Sequence, residues 1–207
     1  MHRISARLKG MGIGSLFLTF FGGFWMVAAL NTASWLWLVA CVLVPTSLLA
    51  MRAIGLLLDS RRVRAGEPPP TPEEHDAGRA LGRRFAWVFM IEFGAIALAA
   101  NLLASTGRAD WIVFAIALIV AVHFFPLARI FQFRLYYWTG GAEVVLCLLI
   151  AGAMRTRLQA ADPLFGLAMG LSLWLTVVIL LAQGARLAAA ALPPNPPTPP
   201  AAPSAAP

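Results

Sequence analysis

The sequence predicts an all-α, polytopic membrane protein: six transmembrane helices as three tandem hairpins, with both termini cytoplasmic. Three observations lead there. Of the 207 residues, 60% are hydrophobic and 12% charged, and mean hydropathy is +0.78; a small soluble core cannot hide so much apolar surface. Between Lys9 and Arg52 lie 42 residues without a charge. As one helix these would reach roughly 60 Å, about twice the ~30 Å hydrocarbon thickness, so the chain must cross, turn and cross back. Finally, with a cytoplasmic N-terminus, thirteen Lys and Arg fall on the inner side and three (Arg108, Arg155, Arg157) on the outer. That bias sets the orientation.

The first span is expected at 11–30. Its leader "MHRISARLK" has the look of a signal-peptide n-region, but the apolar segment is too long, a second follows at once, and no A-x-A site appears. The turn is placed at "NTAS" (31–34), followed by Trp35 and Trp37 at the interface and a second span at 34–51. The cytoplasmic loop 52–84 carries "GEPPPTPEEHD". Its prolines break regular structure, and Thr71, Pro72 and Glu74 then read as a capping box that starts a short helix leading into the third span.

Four more spans follow, at 85–103, 111–128, 137–154 and 164–185. They lack the alternating period of barrel strands and exceed their length. The Pro/Ala-rich segment 187–207 is expected to be a disordered, solvated cytoplasmic tail. Cys41 and Cys147 sit mid-span with no ligand spacing and read as buried small residues. Gly166 and Gly170 form a GxxxG in the last span, and Gly10 and Gly14 another at the first; packing inside the monomer is preferred to dimerisation for such a motif. Trp87, Trp111, Trp138, Tyr136 and Tyr137 read as interface anchors, Trp25 and Trp174 as packing. Two return helices share a proline followed by arginine ("VPTSLLAMR", "FPLAR"), and Phe21-Gly22 echoes Phe93-Gly94. This weak repeat keeps one orientation, unlike the inverted repeats of many transporters.

Three ionisable residues stand inside spans: Glu92, His123 and Glu143. Glu92 is seven residues past Phe85, His123 five before Ala128, and Glu143 six past Tyr137. Each is thus about 8–11 Å from the inner end of its helix, in one layer of the inner leaflet. Pro126 and Pro45 leave the carbonyls of Val122 and Cys41 without helical donors, and Thr46 and Ser47 lie beside the second of these. Charges at this depth cost on the order of 3 kcal/mol or more, which usually marks a function. A polar pocket in the inner leaflet would house them, with Glu92 the leading candidate. Three readings stay open. The residues fasten helices together, with Arg129 pairing Glu143 and His123 bonding Glu92; or they handle protons or a small solute; or they hold a metal, although two carboxylates and one imidazole are an incomplete ligand set.

No nucleophile elbow, phosphate-cradling loop, paired His motif or CxxC occurs, so no enzyme is expected and no cofactor is assigned. The net charge of +7 orients helices and meets anionic lipid, and calls for no nucleic acid partner. "HFFPLARIF", "FLTFFGGFWMV" and "VPTSLLAMR" together resemble an uncharacterised bacterial family of small multi-pass inner-membrane proteins with an HF-x-P signature in the fourth span. The resemblance spans about 180 residues and implies a bacterial inner-membrane location but no activity. Two functions are expected from different classes: a small proton-coupled carrier or permease, working as a homodimer, or a non-transporting scaffold or assembly factor.

Overall fold

The structure, a computed structural model, describes residues 3–30, 35–155 and 161–192. Six long helices run through these segments: α1 (Ile4–Leu30), α2 (Trp35–Gly66), α3 (Pro72–Ser105), α4 (Ile112–Phe131), α5 (Arg134–Arg155) and α6 (Ala161–Ala191). All six are long and apolar enough to cross a membrane. Within α2, a π-helical segment, Val39–Leu43, lies just before Pro45. The wide turn is how the helix absorbs the donor that proline lacks.

The helices outrun their apolar cores. α2 continues to Gly66 and α3 starts at Pro72, so most of the expected loop 52–84 is helical and the connection shrinks to 67–71. The arginines, leucines and alanines there are strong helix formers, and the break comes only at the proline run. The capping box forms: Glu74 N–H donates to Thr71 Oγ1 at 3.3 Å, and Thr71 N–H donates to Glu74 Oε2 at 3.0 Å. α6 likewise passes Arg186 and runs to Ala191 along an alanine run. The "NTAS" turn and the tail from 193 lie outside the described residues.

α1 is antiparallel to both α2 and α6, and α2 and α6 also pack on each other. The contact of α1 with α6 is the most extensive interface, exceeding those of the sequence-adjacent pairs. Glycines make it possible. A Cβ added at Gly170 would stand 2.9 Å from the Gly22 carbonyl oxygen, and one at Gly166 would stand 2.9 Å from the Trp25 carbonyl oxygen. The GxxxG therefore serves close packing within the chain. Trp174 Nε1 crosses the same interface to donate to the Thr19 carbonyl at 3.2 Å. From α6 the order continues through α5 and α4 to α3, whose extensive packing among the described residues is on α4. Glu92 is the single buried residue of α3.

At the end of the bundle where α1 begins, a polar clasp closes the ring. Glu67 accepts from the backbone N–H and the hydroxyl of Ser5, at 3.1 and 2.6 Å, and so caps α1 from the connection between α2 and α3. The Arg3 guanidinium donates to Glu74 at 2.9 and 2.5 Å, and to the carbonyls of Pro68 and Pro69. The Arg3 hydrogen bond, then the Thr71 N–H, hold the Glu74 carboxyl below its ordinary pKa. Glu74 in turn raises that of Arg3. Beyond the clasp, α1 and α3 approach at the Phe17 and Phe89 rings, whose centroids are 5.6 Å apart.

Candidate functional site

Because α3 leans on α4 and only touches α1, a cavity of about 660 Å³ remains between them. The pattern on α3 explains its wall. Phe85, Phe89 and Glu92 recur at helical spacing on one face, and all three line the cavity. Across from them stand Phe17 and Phe21 of α1, and His123 and Phe124 of α4.

Glu92 and His123 are the polar groups at the deep end. Glu92 Oε1 lies 3.4 Å from His123 Nδ1, with side chains 8% and 13% exposed. His123 Nδ1 is also 2.5 Å from the Val120 carbonyl oxygen. Two bare acceptors would not approach so closely, so Nδ1 carries a proton and donates it to that carbonyl, the shorter of the two contacts. Nε2 then remains available as a base. Glu92 Oε2 has no hydrogen-bond partner among the described residues. The rings of Phe89 and Phe124 flank the imidazole, with centroids at 5.9 and 4.7 Å. A proton taken up at Nε2 makes an imidazolium beside the Glu92 carboxyl, so the charges of the two groups are coupled across the α3–α4 contact.

The shared layer of three expected from the sequence is therefore a pair. Glu143 is completely buried, but it does not line the cavity, and neither of its oxygens has a partner among the described residues. The reason is topological: α5 and α3 lie on opposite sides of α4 and do not pack together. Gly140 abuts Ala121 and Phe124 of α4, which sets Glu143 about one turn further along. Arg129 does not pair with Glu143 either; it is exposed on a basic groove at the end of the bundle. Pro45, Thr46 and Ser47 are outside the site as well. Thr46 Oγ1 is buried against Gly23, in the interface of α1 with α2, without a partner among the described residues, and Ser47 is exposed. Pro126 sits within α4 one turn from His123, and the helix continues past it to Phe131.

Other expectations divide. Trp25 and Trp174 are buried, and Trp87 and Trp138 exposed, as read. Tyr136 is a correction: it is buried, lines the cavity, and presses its hydroxyl towards Gly14. Cys147 is buried and Cys41 only half-buried. Sequence reasoning missed Arg7, Lys9, Gly78 and Gly82 on the cavity wall, and it read Gly10, which borders the same space with nothing within 4 Å of a Cβ built there, as a packing residue. The Phe17/Phe21 and Phe85/Phe89 spacings were the available signal. Among the described residues no group of three His, Cys, Asp or Glu side chains is placed to hold a metal.

Six apolar helices of this length fit a multi-pass membrane protein. No curated protein and no solved structure matches the chain. Residues 81–183, a stretch that includes Glu92, His123 and Glu143 but neither α1 nor α2, match the model of a family of unknown function (DUF7010).

Proposed function

We propose that this chain is a small proton-coupled carrier of a bacterial inner membrane, with Glu92 and His123 as its proton site and both termini in the cytoplasm. One observation supports this above the rest: the acid and the base come from different helices and meet on the wall of a cavity, with Glu92 Oε2 free of any partner among the described residues. α3 is the element suited to move. It is fastened to α1 by the clasp and one ring contact, and its extensive packing among the described residues is on α4. Shifting a proton between Glu92 and His123 changes the attraction between α3 and α4, which couples protonation to the width of the cavity.

The test uses proteoliposomes loaded with a pH-sensitive dye, in which an imposed potential drives proton entry. Glu92→Gln keeps shape and removes the titrating group, and is expected to lower the rate at least tenfold. Equal rates for parent and variant, both folded, would reject the proton role. If the variant instead loses stability while proton entry continues, the pair serves only to join helices, as a scaffold would require.

A further inference from the structure

Gly10 of α1 and Gly78 and Gly82 of α3 face the end of the cavity opposite Glu92, and a Cβ built on any of them meets nothing within 4 Å. None has a positive φ, so no turn requires them. No neighbouring helix presses on them, unlike Gly166 and Gly170. Glycine inside a helix costs about 1 kcal/mol relative to alanine. Gly55, Gly94, Gly141 and Gly152 are as open and do not line the cavity, so what sets Gly10, Gly78 and Gly82 apart is that they border one space.

The shape of the space narrows what the occupant is. It runs from Ala6 to Phe21 along α1 and from Gly78 to Glu92 along α3, about 20 Å at 1.5 Å per residue. A volume of about 660 Å³ over that length leaves a mean cross-section of about 30 Å². That is wide enough for a hydrocarbon chain along its whole course. Ile13, Phe17 and Phe21 line the slot yet are 46%, 46% and 39% exposed. The slot is therefore open sideways, between α1 and α3.

The glycine end is basic. Arg7 and Lys9 line the slot there, and the adjoining groove adds Arg61, Arg64, Arg84 and Arg129. Among the described residues none of these six is in an ion pair, while Arg3 and Arg79 are held by Glu74 and Asp76. Of the groove's carboxylates, Glu67 and Glu74 are engaged by Ser5 and Arg3, and Glu73 stands by itself.

We infer that the slot binds an anionic phospholipid of the surrounding leaflet. One acyl chain lies along the phenylalanines towards Glu92, the second stays outside, and the phosphate rests at the glycine end between Lys9 and the arginines. Charge complementarity selects the headgroup, and the apolar length of the slot accommodates an acyl chain. This goes beyond the proton role of Glu92 and His123, and binding is measured without flux, so either can fail alone.

The experiment takes the full, delipidated chain in detergent and follows lipid binding by native mass spectrometry and thermal unfolding. The probes are dioleoyl phosphatidylglycerol, dioleoyl phosphatidylcholine and inorganic phosphate. Phosphatidylglycerol is expected to bind at least tenfold tighter than phosphatidylcholine, and phosphate alone to give no shift. Gly82→Leu fills the slot and should weaken phosphatidylglycerol at least tenfold in a protein that unfolds no earlier than the parent. Arg7→Gln with Lys9→Gln should erase the headgroup preference. Equal affinity for the two lipids, a full shift with phosphate alone, or unchanged affinity in Gly82→Leu would overturn the assignment. Should Gly82→Leu fail to fold, Gly10→Leu on the facing wall is read by the same criteria.

Discussion

Gly166→Ala adds a single methyl group where α1 and α6 are closest. Its Cβ would lie 2.9 Å from both the Trp25 carbonyl oxygen and Ala29 Cβ, against 3.4–4 Å for an ordinary contact. Neither neighbour can yield by rotating a side chain, because one is backbone and the other a methyl on Cα. The helices must separate by roughly 0.5–1 Å, which loosens dispersion contacts along the whole interface. Overpacking of this kind costs about 1–3 kcal/mol. Gly82→Ala is the matched control. It meets open space, so only helix propensity changes, and it should gain up to about 1 kcal/mol. The assay is equilibrium unfolding in mixed micelles with helicity as the signal, both variants beside the parent. Two substitutions of identical chemistry should move stability in opposite directions. If Gly166→Ala is as stable as the parent, the close approach of α1 and α6 is wrong.

Two further outcomes follow from other polar contacts. Thr139 and Thr176 join α5 to α6 through hydroxyls 2.8 Å apart: one donates to the other, and the accepting hydroxyl gives its own proton to a carbonyl of its helix, Leu135 or Ser172. Either single Thr→Val change should cost about 1 kcal/mol and the double change little more than one single, a non-additivity read from a double-mutant cycle in the same unfolding assay. In the clasp, the Glu74 carboxyl titrates below its unfolded value, because Arg3 favours the charged form. The stability it adds is therefore present above the ordinary carboxylate range and disappears as pH falls through the lowered pKa. Melting temperatures of the parent and of Glu74→Gln should differ near neutral pH and converge in acid. High salt should narrow the gap, since both partners are partly open to solvent.

The number of helices, the capping box at Thr71 and the intramolecular use of Gly166 and Gly170 were legible because each rests on local spacing or a long apolar run. The facing of the helices was not. In a chain this apolar, the sides turned to neighbours and to lipid carry the same residue types, so no periodic stripe separates them. Glu143 is the clearest example: its depth can be counted from the sequence, but the side of α4 on which it lies cannot. Glu92 and His123 were placed in one layer by the same count, and they meet because α3 packs on α4. The clasp was hidden for another reason. Ser5 and Glu67 are unremarkable polar residues, paired only after α1 and α2 lie antiparallel. The slot was unreadable because helix propensity gives no hint that Gly10, Gly78 and Gly82 surround one space.

The joint action of Glu92 and His123 is tested most directly by a double-mutant cycle in proton entry into proteoliposomes, comparing Glu92→Gln, His123→Gln and both together. Acting as one unit, each single change should cost as much as the pair does, so that the second substitution adds nothing. Losses that multiply, or a His123→Gln variant as active as the parent, would contradict a shared proton.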